Sequence, residues 1–400
     1  MMKQIFFVIL FLISTISSFA QIDENWLIIA RNTGTYVATD GYEVRIMGFT
    51  PSLGASVDIP GPTLRATTGD SVELRLFNLS QHAPHTVHLH GLDVNQANDG
   101  VPSLSFTIPH DSSGYYYFKA PHPGTYLYHC HVVSAVHVQG GMYGLIIIDA
   151  ADPETTWDGG YEFNSEYAWM TSEIDTIWHN DTIIEHEYDP DMIMSLNIPK
   201  FYDPQYFLVN GAMDFQMEEK GDINVHEGID AKILLRLANI GYMANRYEFP
   251  TELEATIISS DGRPLPVSEI SDSLWIHPGE RYQVLCNPLS EFEDSIRVDY
   301  VDMAGYLKGT QHINVFIEGV YGIDEEKVRN IIQLYPNPAQ NIIQCSLQQF
   351  EYEILTYSGQ LVAAGTSING EIPISHLNNG GYLIRIKSPD ETFTKHFIKE

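Results

Sequence analysis

His129-Cys130-His131 sets three metal-competent side chains in immediate succession, and a second stretch, His85-Thr86-Val87-His88-Leu89-His90-Gly91, supplies three more imidazoles. In an extended strand successive side chains point to opposite faces, so His129 and His131 share one face while Cys130 projects from the other. The same parity separates His85 from His88 and His90. The simplest reading of both stretches is a pair of metal environments lying back to back across one layer of backbone. His137 and Met142, in the loop after the His-Cys-His strand, extend the donor set.

The surrounding sequence agrees with a β architecture. Between Trp26 and Asp149, short β-rich runs such as Ser71 to Phe77, Tyr115 to Phe118 and Leu145 to Ile148 are punctuated by Gly and Pro, without a helical period. Strands at this spacing predict a sandwich or barrel. An irregular acidic segment is expected from Asp149 to about Pro190, after which β-type runs resume at Tyr206 to Gly211, Lys232 to Leu237, Ala255 to Ser259 and Arg281 to Leu285. A charged turn at Gly322 to Arg329 then separates a small β-rich tail. The expected fold class is all-β, with two Greek-key β-sandwich domains at 21–151 and 152–320 and a small C-terminal sandwich at 330–400.

Met1-Met2-Lys3, the apolar run Ile5 to Ile16 and the small-residue exit Ser17-Ser18-Phe19-Ala20 read as a signal peptide at residues 1–20. No later stretch reaches the roughly 20 apolar residues that a membrane helix requires. An exported chain whose cysteines are Cys130, Cys286 and Cys345, one in each expected domain, is not a disulfide scaffold, which leaves Cys130 for metal. The formal charge of −31, from 52 acidic and 21 basic side chains, argues against nucleic acid or an anionic membrane as partner.

A soft thiolate beside imidazoles and a thioether selects copper, and a Cys with two His and a distant Met describes a blue-copper electron-transfer site. Parity and order nominate His85, Cys130 and His137 as strong ligands and Met142 as the weak axial one. On the opposite face His88, His90, His129 and His131 form a second ligand set from two His-x-His pairs. Because Cys130 is bonded between His129 and His131, an electron arriving at the thiolate has a short covalent route to either imidazole.

Pro60-Gly61-Pro62-Thr63-Leu64-Arg65 with Gly69-Asp70, the two histidine stretches, and Asp99-Gly100 together resemble the multicopper oxidase family, and the two-domain layout is similar to its small laccase-like members. The resemblance implies two cupredoxin-like domains. It implies a type 1 copper at His85, Cys130, His137 and Met142, a type 2 copper at His88, and a type 3 pair at His90, His129 and His131. Asp99 then matches an acid that relays protons to bound oxygen, although an ordinary Asp-Gly turn would leave the same dipeptide. Phe207 to Gly211, Leu235 to Asn239, Ser260-Asp261-Gly262 and Pro278 to Tyr282 resemble the copper-free middle domain of larger oxidases. In the tail, Tyr335-Pro336-Asn337-Pro338-Ala339, Gly380 to Ile386 and Lys395 to Lys399 resemble the C-terminal sorting domain of the type IX secretion system. That likeness implies a secreted or cell-surface protein, with the secretion machinery as a partner and the tail removed after export.

Two features depart from the family pattern. Its full trinuclear cluster draws on four His-x-His pairs, and residues 150–320 contain none; His179, His186, His226, His277 and His312 are expected to be solvated rather than ligating. The missing half would come from another subunit, which makes the chain a homo-oligomer. The spacing from His131 to His137 is also longer than these oxidases use, toward that of copper nitrite reductases, which carry Asp in place of His88 and no second His after the Cys. His82, His110 and His122 are assigned to surface or packing.

The function expected from these features is a copper-dependent oxidase that takes single electrons from a phenol-like or metal-ion reductant and passes them to oxygen. The alternative is an electron-transfer cupredoxin that reduces no oxygen, and a third reading is a structural surface protein that has kept the fold.

Overall fold

A computed structural model describes residues 22–81, 83–185, 202–319, 334–356, 361–387 and 392–399. The expected signal peptide, His82, His186 and the turn at 322–329 lie outside them. The chain divides into two compact units, Met1–Gly319 and Val320–Glu400.

The first unit opens with eight strands: β1 (Glu24–Val37), β2 (Glu43–Thr50), β3 (Leu64–Thr67), β4 (Ser71–Asn78), β5 (His88–His90), β6 (Ser112–Lys119), β7 (Gly124–His129) and β8 (Tyr143–Asp149). They form one sheet ordered β2-β1-β4-β6 and another ordered β3-β8-β7-β5. In β4 every second residue is buried, and Val72, Leu74 and Leu76 point into the core between the sheets. Strand β7 breaks that alternation, since all six of its residues are buried. Tyr126 and Tyr128 fill the core of the first sandwich, whereas Leu127 joins Ile46, Leu145, Met170, Leu208 and Ile240 in a second apolar cluster shared with the next sandwich. A strand covered on both faces reads as a continuous apolar run rather than an alternating one.

The next sandwich has sheets of six and five strands. The acidic segment expected to be irregular up to about Pro190 contains a ten-residue strand, Ser165–Ile174, paired with both Tyr206–Val209 and Ile233–Asn239. It lacks alternation because Trp169 to Ile174 are all buried, and its acids have structural partners that composition hides. Glu166 accepts from Arg65 Nη2 at 2.5 Å and from Arg236 Nε at 2.8 Å. Arg236 is 1% exposed, so Glu166, with Asp149 at 3.6 Å, compensates a charge that would otherwise be costly inside the protein.

A second surprise is the link from His131 to His137, expected as a loop. Residues Ser134–Gly140 form a helix, α1, entered through Val133 at φ 44° and closed by Gly141 at φ 114°, whose N–H returns to the carbonyls of His137 and Val138. Glycine is suited to this left-handed closing position because it has no Cβ to clash.

The tail unit is a small sandwich. Leu334–Tyr335, Ile342–Cys345 and Glu371–Pro373 make one sheet, and Phe350–Thr356, Leu361–Ser367, Gly380–Lys387 and Thr392–Lys399 make the other. Ile343, Ile354, Ile384 and Phe397 are wholly buried in its core. The molecule is thus all-β, as its sequence implied.

Gly100 has φ +77°, and a Cβ there would overlap the Val87 carbonyl just before the strand that carries His88. Gly41 also has positive φ, +83°, but nothing lies within 4 Å of a Cβ at that position. Gly41→Ala should therefore cost about 1–2 kcal/mol of backbone strain, and Gly100→Ala at least about 2 kcal/mol more, measured by urea unfolding. Equal costs at the two positions would contradict the close approach.

Candidate metal centres

The antiparallel pairing of β5 with β7 puts His88 opposite His129, Leu89 opposite Tyr128 and His90 opposite Leu127. Directly opposed residues share a face, so the three imidazoles lie on the Leu127 side, which is turned toward the second sandwich. Cys130 follows β7 on the Tyr128 side, inside the core of the first sandwich.

In that core, His85 Nδ1 lies 3.4 Å from Cys130 Sγ and His137 Nδ1 lies 3.1 Å from it. Such separations are close to what two bonds of about 2 Å to one shared ion leave between donor atoms. His85, Cys130, His137 and Met142 are each 0% exposed. The Nε2 atoms of His85 and His137 have no hydrogen-bond partner, so neither ring is held by a hydrogen bond at its far end. The Met142 carbonyl accepts from Cys130 N at 3.0 Å, and Met142 N donates to the His137 carbonyl at 2.9 Å, which ties the three residues together through backbone. Burial pushes the pKa of His137 down to about 3, and that of His85 well below the ordinary imidazole range, helped by His137. Both rings are therefore neutral, the state a metal requires.

On the other face, the ligand atoms of His88, His90 and His129 all lie within 4.8 Å of one another. His90 Nδ1 and His129 Nε2 are 3.4 Å apart. A carbonyl can only accept, so His88 donates from Nδ1 to the Asp99 carbonyl at 2.8 Å, and His129 from Nδ1 to the Cys130 carbonyl at 3.0 Å. Each ring is left with its Nε2 lone pair for an ion, and its orientation is fixed from behind. Burial first, then Arg281 and the neighbouring imidazoles, lower His90 to about 3; burial lowers His129 to about 4. His131 stands beside this trio, its ring 5.3 Å from that of His88 and its N–H bonded to Thr86 Oγ1 at 3.0 Å. Asp99 precedes Gly100, whose φ is +77°, and its carboxylate lies 3.5 Å from His88 Nδ1.

The second sandwich contributes no imidazole to the close sets found among the described residues, yet it reaches the trio. A Cβ on Gly279 would meet the His90 ring, and one on Gly91 would overlap the guanidinium of Arg281. Arg281 is 4% exposed and bonds the Gly279 carbonyl at 2.6 Å and Asp261 at 2.8 Å. In the sequence Pro278 to Tyr282 shows only as a motif, because its contact with His90 is tertiary.

Of the histidines expected to be solvated, His226, His277 and His312 are exposed. His179 corrects the expectation. It is 5% exposed, bonded to the Arg45 carbonyl at 2.6 Å and 3.4 Å from Gln139 Nε2, and it packs against α1 without ligating. Glu173 organises the same region. Its carboxylate accepts from the N–H groups of Tyr242 and Met243 at 3.0 and 2.8 Å, while its carbonyl accepts from Gln139 Nε2 at 2.8 Å and Tyr202 Oη at 3.3 Å. Burial raises its pKa to about 7 against the pull of those N–H donors.

Two packed sandwiches with a cysteine–imidazole cluster in the first make a cupredoxin-type fold. Residues 43–153 match the family described as multicopper oxidase, and residues 333–400 match the secretion system C-terminal sorting domain. The chain is 27% identical over 276 residues to the iron transport multicopper oxidase FET3 of Saccharomyces cerevisiae, covering 66% of this chain and 40% of that protein. It is 39% identical over 116 residues to copper resistance protein A of Escherichia coli, covering 29% of this chain and 18% of that one. The chain thus spans less than half the length of either relative. In fold it is similar to the blue copper oxidase of Nitrosomonas europaea, with TM-score 0.57 and 22% identity over 74% of this chain and 86% of that one. The chain carries a multicopper oxidase domain followed by a C-terminal tail that marks it for type IX export to the cell surface or beyond.

A carboxyl group whose pKa is higher folded than unfolded holds an extra proton in the native state. The contribution of Glu173 to stability therefore falls as pH rises from about 4.5 to about 7. The stability of Glu173→Gln relative to wild type should climb across that window and level off above it, measured by denaturant unfolding at successive pH values. A difference that stays constant with pH would contradict the buried, protonated carboxyl.

Proposed function

We propose that the first sandwich is a copper-dependent oxidase module, in which His85, Cys130, His137 and Met142 hold a type 1 copper and His88, His90, His129 and His131 hold half of a type 2/type 3 cluster. The observation that carries this reading is the convergence of two neutral, buried imidazoles on one thiol, with a second set of imidazoles across the same strand. Copper suits the first donor set because thiolate, imidazole and thioether are soft or borderline ligands, and when bound it exchanges single electrons. Names of relatives point the same way: one is an iron transport multicopper oxidase and another a copper resistance protein.

The chain's own residues account for several parts of such a reaction. Cys130 joins the thiol site to His129 and His131 through a few covalent bonds, so electrons taken up on one face have a bonded path to the other. The Asp99 carbonyl fixes the tautomer of His88, and its carboxylate is close enough to His88 to pass protons near the site where oxygen would be reduced. Arg281, from the second sandwich, packs behind His90 and helps keep its ring neutral. The imidazoles still needed for a complete cluster would come from a second copy, making the active form a homo-oligomer. The reducing substrate is a phenol or a low-valent metal ion, with oxygen as the electron acceptor.

The copper-loaded protein should show an intense visible thiolate-to-copper band and more than one copper per chain, and it should consume oxygen with hydroquinone or a ferrous salt. Cys130→Ser should abolish the band while leaving copper on the imidazole face. One copper per chain and no oxygen uptake with either reductant would refute the oxidase reading.

A further inference from the structure

The thiol site is sealed. Each of its four candidate ligands is 0% exposed, so no reductant can touch His85 or His137 directly. Part of the cover comes from outside the first sandwich: Trp178, Ile183 and Ile184 pack into the same apolar cluster as Cys130, Val136 and Met142. Ile183 and Ile184 lie on a short helix, α2 (Asp181–Glu185), and Trp178 lies just before it. Beside them runs a line of aromatic rings. Trp178 lies 6.3 Å from Tyr202, and Tyr202 lies 5.2 Å from Tyr242, both measured between ring centroids. The line ends on α1, where Tyr242 Oη donates to the Ala135 carbonyl at 2.6 Å. His137 lies two residues further along the same helix. At the end away from α1, Trp178 is part-exposed, next to Ile177 at 54%.

The line is also held in place. Glu173 bonds the backbone of Tyr242 through its carboxylate, and Tyr202 and Gln139 of α1 through its carbonyl. One buried residue thereby fixes two of the three rings relative to the helix that carries His137. Electron transfer through protein falls steeply with distance and runs best along bonded paths and π systems, and this column offers both.

Resting on the copper reading above, we propose that the thiolate centre receives its electrons through the second sandwich, along Trp178, Tyr202 and Tyr242 into α1, and that the reductant docks at Trp178 rather than at a copper-ligating histidine. The reductant loses one electron and the thiolate-bound copper gains one. No bond forms or breaks in the column. Tyr202 and Tyr242 act as positioned conductors, and Glu173 as the residue that positions them.

The test uses the full copper-loaded chain without oxygen, mixed with hydroquinone in a stopped-flow instrument while the thiolate-to-copper band bleaches. Trp178→Leu and Tyr242→Leu should slow bleaching about tenfold or more at saturating hydroquinone, equivalent to about 1.4 kcal/mol of barrier. The band, the EPR spectrum and the reduction potential of the copper should be unchanged. Trp178→Phe, which keeps a ring, should bleach close to the wild-type rate. Wild-type bleaching rates in both leucine variants would overturn the column, as would slowing that is fully matched by a shifted potential. If the leucine variants fail to fold, Tyr242→Phe decides: it keeps the ring but loses the hydrogen bond to α1, and unslowed bleaching there overturns the route into the helix. Absence of the band in the wild-type chain would remove the copper reading itself, and the proposal with it.

Discussion

Strand β7 is buried on both faces, and the rest of the arrangement depends on that. One side closes the core of the first sandwich through Tyr126 and Tyr128; the other, through Leu127, packs against the second sandwich. A strand in that position cannot slip register without driving polar groups into one apolar layer and apolar groups out of the other. The parity of His129 and Cys130 is thereby locked, and with it the division of the donor set into a thiol site in the core and an imidazole site facing the second sandwich. The pairing of His88 with His129 extends the same constraint to β5.

That geometry gives the second sandwich a part despite its lack of paired histidines. Met170, Leu208 and Ile240 seal the outer face of β7, Gly279 and Arg281 back His90, and Tyr242 and Glu173 hold α1 through Ala135 and Gln139. The helix exists because the longer spacing from His131 to His137 is wound up between Val133 and Gly141 instead of being left as a loop. His137 thus reaches Cys130 from the buried part of a helix, Val136 to Gly140, and is itself 0% exposed. Sealing excludes water and stray reductants from the thiol, at the cost of direct access.

Much of this was legible in the residues, and the failures have physical causes. Alternation and metal-ligand chemistry located both donor sets because strand parity depends only on local backbone geometry. Period-2 reasoning missed the strand Ser165–Ile174, since a strand covered on both faces does not alternate and Glu166 and Glu173 disguise it as polar. The burial of His179 leaves no local trace for a related reason: its polarity is satisfied by the Arg45 carbonyl, distant in sequence. The helix α1 is too short to show a period. The contact between the Gly279–Arg281 turn and His90 is tertiary, visible in sequence only as a motif with no known neighbour.

The central claim is that one strand separates two independent copper environments, and EPR spectroscopy of the Cu(II)-loaded protein tests it most directly. The account predicts two signals, one with the small hyperfine splitting of a thiolate-bound copper and one with ordinary splitting from copper on imidazoles. Cys130→Ala should erase the first and spare the second, and His88→Ala with His90→Ala should do the reverse. A single signal lost entirely in either variant would contradict the division.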